Sequence, residues 1–393
     1  MEIRQITEDE AARVLPVRAY AFEATPLAPQ RIEELNRFMS FRLKNTTLVA
    51  EEDGEVVASV AGIPMRQNVR GVVHPMLGVA GVVSHPLARR RGHVRTLMHD
   101  LLRRGREEGR LITALHPFRA GFYARLGYVG LTAPRTVTLR PEALASLLRL
   151  DLPGEVRFRR IAEGWDDVLT LQDRFLHGRH GFTEFPEYRR HQPRDDDEQW
   201  LVTAHRDGEV IGALPYRITD YGGDLTGGVL LCESPVARAL ILRFLAGHVD
   251  QVGEITLRTA PSERPELWST DFTGTITSTA AVPHPAPPMV RVLDLPALAG
   301  LPAGEARVTI TVVDDDYVGG GWELDGAGGA LSVKPAAASS EVRLTAAALS
   351  GLVYGMLGPE EIVARGLGAV PVAAQDALST LFPPAEPWVY LDF

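Results

Sequence analysis

Through the first third of the chain, short apolar runs alternate with polar turns. Residues 47–50 and 56–63 read as strands flanking Asp53-Gly54, a dipeptide that favours the tight turn of a hairpin. A further apolar run ends at Val82-Val83 and is stopped by Pro86. The period then changes. Val94, Leu97, Met98, Leu101 and Leu102 are spaced by three and four, which puts all of them on one helical face. A second strand follows that helix, and after it the aromatic stretch Phe122-Tyr123-Ala124-Arg125-Leu126-Gly127-Tyr128.

The same plan returns more weakly over about 157–281. Strands are expected at 201–204, 210–216 and 228–232, with the turn Arg206-Asp207-Gly208 between the first pair and a helix over 235–250. The Pro-rich run Ala281-Val282-Pro283-His284-Pro285-Ala286-Pro287-Pro288 fits a connector. Beyond it, strands are expected at 289–295 and 306–313, a hairpin from Trp322-Glu323-Leu324 and Leu331-Ser332-Val333, and a helix over 346–356. The reading is an α+β chain in three parts, 1–150, 151–285 and 286–393, and 393 residues suffice for that many domains.

Charge narrows the function. With 41 Lys+Arg against 50 Asp+Glu and a net charge of −9, nucleic-acid binding has little support. No stretch has the apolar length of a membrane span, and MEIRQITEDE carries charges where a signal peptide needs an apolar core, so a cytoplasmic protein is the default. Cys232 lies in an apolar run and reads as an inert buried thiol. The histidines show no H-E-x-x-H or comparable pairing, and no metal is expected. The runs Asp195-Asp196-Asp197-Glu198 and Asp314-Asp315-Asp316 read as loops.

The most informative chemistry lies between Val82 and the helix. Arg89, Arg90, Arg91 and Gly92 lead into that helix, whose first N–H groups lack internal acceptors and whose dipole favours an anion there. Gly92 lets the backbone approach a phosphate, and Arg90, Arg91 and Arg95 can meet further negative charge. The dinucleotide reading fits poorly, because G-x-G-x-x-G is absent and no acidic residue follows at the required distance. A nucleoside diphosphate ligand other than NAD is favoured.

Arg89-x-x-Gly92-x-Val94 after a strand resembles the acetyl-CoA signature R/Q-x-x-G-x-G/A of the GNAT superfamily of N-acetyltransferases, with Val94 replacing the last small residue. The motif Phe122 to Tyr128 resembles the F-Y-x-x-x-G-Y of the same superfamily. The three-part plan resembles its enhanced intracellular survival (Eis) type branch, which joins an active acetyltransferase domain, a degenerate one and a sterol-carrier-like domain. Local matches are His85-Pro86-Leu87-Ala88-Arg89-Arg90-Arg91-Gly92, Met289-Val290-Arg291-Val292-Leu293-Asp294 and the ending Trp388-Val389-Tyr390-Leu391-Asp392-Phe393. The expected fold is therefore tandem acetyltransferase folds, the second degenerate because Cys232-Glu233-Ser234-Pro235 replaces the basic turn, plus the sterol-carrier-like domain.

That resemblance implies acetyl-CoA as cosubstrate. Its pantetheine arm would pair with Val82, Val83 and Ser84, its pyrophosphate would lie on Arg90, Arg91, Gly92, His93, Val94 and Arg95, and Phe118 and Arg119 would border it. The resemblance also implies Tyr123 as general acid and the α-carboxylate of Phe393 as general base, with Asp392 the nearby rival, and a homohexamer. On the residues alone, Tyr123 reads equally as a proton donor or as half of an aromatic pair with Phe122 or Tyr128. Phe22 and Glu23 are candidates to line a pocket for a cationic amine, whereas Glu33 and Glu34 read as solvated helix surface. The expected activity is N-acetylation of primary amines on small polyamine-like acceptors such as aminoglycosides, with lysine side chains as further acceptors. Competing readings are a lipid or sterol carrier built on an apolar tunnel in 344–367, and an acetyl-CoA sensor without turnover.

Overall fold

Strand β1 (Glu2–Gln5) pairs antiparallel with β2 (Thr46–Glu52), the two being separated in the chain by helices α1 (Ala11–Phe22) and α2 (Pro29–Arg42). Asp53 and Gly54, at φ 51° and 82°, turn the chain into β3 (Glu55–Val69), as an Asp-Gly hairpin requires. A second such turn at Arg70-Gly71 leads to β4 (Val72–Ser84). Helix α3 (His93–Glu107) crosses to β5 (Ile112–Leu115), which runs parallel to β4. Leu97, Met98, Leu101 and Leu102 are fully buried against β2, β3 and β4, each contributing roughly 2 kcal/mol of apolar burial, while Val94 is half-buried. The short helix α4 (Ala120–Ala124) then leads to β6 (Val129–Gly130). This computed structural model describes residues 2–42, 44–270, 272–278 and 287–393.

The second sheet takes β7 (Arg135–Leu139), β8 (Glu155–Arg160), β10 (Trp200–Arg206), β11 (Glu209–Ile218), β12 (Leu225–Val229), β13 (Leu231–Cys232), β14 (Ile255–Thr259) and β15 (Gly274–Thr277), while β9 (Thr183–Glu184) pairs with β3. Its order, β15-β7-β14-β12-β11-β10-β8, has one parallel junction, β12 with β14. The first sheet, β1-β2-β3-β4-β5-β16-β6, also has one, β4 with β5. In that order β16 is Met289–Val292. The helix after β13, α6 (Pro235–Ala246), ends four residues before the expected limit at 250. The third sheet holds β17 (Arg307–Val312), β18 (Gly320–Asp325), β19 (Ser332–Ala336), β20 (Arg343–Leu344) and β21 (Gly368–Ala369), with α7 (Ala346–Val353) packed beside it.

The sheets cross both expected boundaries. β7, inside 1–150, pairs with β14 and β15 of the second sheet. β16, inside 286–393, pairs with β5 and β6 and fills the gap between them. Each parallel junction is thus flanked by a strand from a distant part of the chain. An apolar run such as Met289-Val290 pairs equally well in either sheet, so its destination is set by tertiary packing. Residues 281–286 of the expected connector lie outside the described residues. Pro288 accepts a hydrogen bond from Leu131 N–H at 2.8 Å.

Further corrections are local. Asp195 and Asp196 close a short helix, Gln192–Asp196, rather than a loop. Asp315 does lie in a loop but is buried against Arg291 at 2.6 Å. Cys232 is half-buried rather than buried, although desolvation pushes its thiol up and keeps it protonated. Leu344, Leu349, Leu352, Val353, Leu357 and Ile362 are packed in one core with the face of the first sheet that carries Ile63, Met65 and Met76.

The β3–β4 turn clasps the three parts together. Arg70 donates to the carbonyls of Val353 (2.6 Å), Leu352 (3.2 Å) and Pro383 (2.9 Å). His180 accepts from Arg70 N–H at Nδ1 (3.0 Å) and donates from Nε2 to Tyr354 O (3.1 Å). Tyr354 donates to Gln67 Oε1 at 2.6 Å, and Gln67 donates to Gly181 O at 2.8 Å.

Candidate active site

The site begins where β4 outruns β5. Their parallel register covers Met76 to Val79 against Ile112 to Leu115, and β4 continues to Ser84 beyond it. In that overhang the β3 register shifts between Ser59 and Ala61, so Gly81 and Val82 together face Val60. Gly81 sits at φ 58°, and a Cβ there would lie 2.0 Å from the Arg18 guanidinium. Val83 is buried, and Val82 and Ser84 are half-buried. The overhang leaves one edge of β4 open at the residues expected to meet a pantetheine arm.

The turn that follows rises to the helix. His85 accepts from Leu87 N–H, Pro86–Ala88 form one 3-10 turn, and Arg90 takes φ 63°. Gly92 caps α3 at φ 91° with no side-chain cap, and a Cβ on it would meet nothing within 4 Å. The conformation, not crowding, calls for glycine there. Arg89, Arg90, Arg91 and Arg95 are exposed, Val94 is half-buried, and His93 is buried with Nε2 3.2 Å from Glu52. Arg91 holds the same Glu52 at 2.7 Å. In the second sheet the matching helix α6 starts differently. Ser234 caps it by accepting from Ala237 N–H at 3.2 Å, and Glu233 beside it pairs with Arg174 at 3.0 Å. The helix start is capped in the second sheet and has no side-chain cap in the first.

Past β5, Arg119 precedes α4, which carries Tyr123 inward. The Tyr123 ring is 1% exposed and meets Phe118, Phe122 and Tyr128 at 5.4, 5.0 and 6.0 Å. Burial, with a smaller contribution from Tyr128, pushes its hydroxyl up and keeps it protonated at neutral pH. The Tyr128 hydroxyl is engaged with Thr113 Oγ1 at 3.0 Å. Phe118 stays 42% exposed at the rim, with Arg119 exposed beside it. Buried Arg291 donates to Leu126 O and so fixes the chain between the two tyrosines.

The last residues reach this place from the other side. Trp388 is buried against Phe175 and Phe182, Tyr390 stacks on Phe182 at 4.6 Å, and Leu391 N–H donates to Thr183 Oγ1 at 3.2 Å. His116, just past β5, donates from Nε2 to Leu391 O at 3.1 Å and lies 3.8 Å from Asp392. The Phe393 ring meets His116 edge-on at 5.3 Å and covers Gly78, where a Cβ would lie 3.2 Å from it. Asp392 pairs with Arg258 of β14. Phe393 is thus brought to the junction of β4 and β5. His116 and Arg258 were not singled out from the sequence. Each acts on residues over 130 positions away, and no local pattern marks such a partnership.

Phe22 and Glu23 stand at the end of α1. Phe22 is 58% exposed with Arg18 5.8 Å from its ring centre, and Glu23 is held by Arg31 at 3.1 Å. Arg31 also holds Glu34 at 3.0 Å.

Residues 2–130 match the family model described as an acetyltransferase (GNAT) domain. This chain carries a GNAT acetyltransferase domain. Around it, the whole chain is similar to a GCN5-related N-acetyltransferase from Kribbella flavida, 26% identical over 100% of this chain and 98% of that one, with a TM-score of 0.83. Eis1 from Mycobacterium abscessus shares the fold end to end, at 21% identity, full coverage of both chains and a TM-score of 0.78. The curated N-acetyltransferase Eis of Mycobacterium tuberculosis is 36% identical over 101 residues, 25% of each chain. That match spans a quarter of the length of the curated relatives. The family match covers residues 2–130, and beyond them the likeness to Eis1 is one of fold. Among the described residues no group of three or more His, Cys, Asp or Glu is placed to hold a metal, and no helix is long and apolar enough to cross a membrane.

Proposed function

We propose that the chain transfers an acetyl group from acetyl-CoA to a primary amine of a small acceptor. Polyamine-like molecules such as aminoglycosides are the class drawn from the likeness to Eis, with lysine side chains as further acceptors. The observation that carries the proposal is the open edge of β4 running into an uncapped helix N-terminus beside a buried tyrosine. This arrangement fits a pantetheine arm at Val82, Val83 and Ser84 and a pyrophosphate at the N–H groups of His93, Val94 and Arg95, with Arg90 and Arg91 alongside. Acetyl-CoA supplies the activated acetyl group, so the protein needs no nucleophile of its own.

The residues then divide the proton work. The Phe393 α-carboxylate orients the amine and accepts its proton, directly or through water. The attacking nitrogen forms its bond to the carbonyl carbon as the carbon–sulfur bond breaks, and the Tyr123 hydroxyl gives its proton to the departing sulfur. The assembly proposed with this reading is a homohexamer.

The test is thiol release from acetyl-CoA by the purified protein with its native C-terminus, across aminoglycosides, polyamines and lysine peptides. Amine-dependent release supports the proposal. Binding of acetyl-CoA with no release for any amine favours a sensor.

A further inference from the structure

The second sheet holds chemistry that the site above does not use. Helix α6 buries one of its faces at Leu214, Leu225 and Leu257. On the other face, α5 (Ile161–Gly178) covers Leu201, Val210 and Ala213. Phe182 and Trp388 extend that cover over Leu231, and beyond them strand register decides what stands on the face. Arg217 pairs with Thr226, Thr226 with Thr256, and Arg258, two residues further along β14, with Thr136. These side chains and Gln199 line an open cavity of about 420 Å³. The residues lining it include two arginines and no acidic side chain.

The cavity adjoins the candidate active site. Arg258, in its wall, pairs with Asp392, and Asp392 precedes Phe393. The parallel pair β12–β14 beneath the cavity also holds the place in its sheet that β4–β5 holds in the first.

Charge then selects a ligand. The carboxylates near the acceptor side already have partners: Glu23 has Arg31, Asp392 has Arg258, and Glu198 holds Arg217 at 2.6 Å. Arg217 and Arg258 remain 52% and 40% exposed, and a guanidinium has more donors than one carboxylate can use. Threonine hydroxyls beside them add further donors. The spare N–H donors of the two guanidinium groups lie in a fork that the oxygens of a carboxylate or phosphate match.

We infer that the acceptor carries a carboxylate or phosphate as well as its primary amine, and that Arg217 and Arg258 bind that group while the amine lies at Phe393. This rests on the acetyltransferase reading and replaces its polyamine-like acceptors with amines that also carry an anion.

The test compares amines that differ only in the distal group. Thiol release by the full chain is measured with 6-aminohexanoate against hexylamine, and with 6-aminohexyl phosphate against 6-aminohexanol. The anionic member of at least one pair is expected to have the higher kcat/KM by about tenfold or more, the scale of one charge-assisted hydrogen bond. Arg217→Gln and Arg258→Gln are each expected to bring that ratio towards one, with retained acetyl-CoA binding confirming that the variants are folded. The leading pair distinguishes carboxylate from phosphate. If release is robust but neutral amines match or exceed the anionic ones, or if both variants keep the native ratio, the anion site is wrong and the transferase stands. If no amine of any kind drives release, the transferase reading falls and takes this inference with it.

Discussion

Tyr123 and Tyr128 are close in space and in sequence, yet among the described residues only the Tyr128 hydroxyl has a hydrogen-bond partner, Thr113. Removing the Tyr123 hydroxyl is therefore expected to act on chemistry. Tyr123→Phe should lower kcat by about 10²–10³, the range of a lost general acid, while acetyl-CoA affinity stays within about twofold. Steady-state thiol release and equilibrium binding check this, and an unchanged kcat would leave Tyr123 as a packing residue. Phe393 offers a second test without any substitution. Residues added after it displace the α-carboxylate but leave the ring free to keep its contacts with His116 and Gly78, so turnover should fall with little change in melting temperature. The aromatic motif and the final hexapeptide were legible because their composition is unusual. His116 and Arg258 were not, since a single histidine after a strand and a single arginine within one look like many others.

Among the elements, the β4 overhang and the start of α3 act as one device. Gly92 at φ 91° faces open space, so Gly92→Val should cost about 1–2 kcal/mol in backbone strain and also put a branched side chain over the helix N-terminus. The expected result is a lower melting temperature together with weaker acetyl-CoA binding, read by thermal unfolding and titration. A melting shift with unaltered affinity would separate the turn from the ligand. Much of this level was legible in the sequence. The Asp53-Gly54 hairpin and the stripe from Leu97 to Leu102 lie where period and turn chemistry put them. The partners of β7 and β16 were not legible, because alternation fixes which side chains share a face and says nothing of which sheet a strand joins. The uncapped and capped starts of α3 and α6 were legible in part. Gly92 and Ser234 differ in the sequence, but only the fold shows Ser234 bonded to Ala237.

Across the whole molecule, the Arg70 clasp gives stability a pH dependence. Burial lowers the His180 pKa from its usual 6.5 to about 4, helped by Arg70, and its Nδ1 must stay unprotonated to accept Arg70 N–H. The unfolded chain takes this proton near pH 6.5 and the folded chain only near 4. The contribution is complete above pH 6.5 and is lost as pH falls through that window, at up to about 1.4 kcal/mol per unit. Thermal unfolding between pH 7 and 4.5 should show this slope, and His180→Gln should flatten it. A second feature of this scale is β16, which closes the first sheet from beyond residue 288. For a ribosome this means that the acetyltransferase sheet leaves the exit tunnel with a slot between β5 and β6. The slot's backbone donors and acceptors stay open while residues 131–288 are made, inviting any passing strand. Completion of that sheet is thus deferred until Met289–Val292 have been made, and a growing chain of this kind has reason to need a chaperone on one known edge.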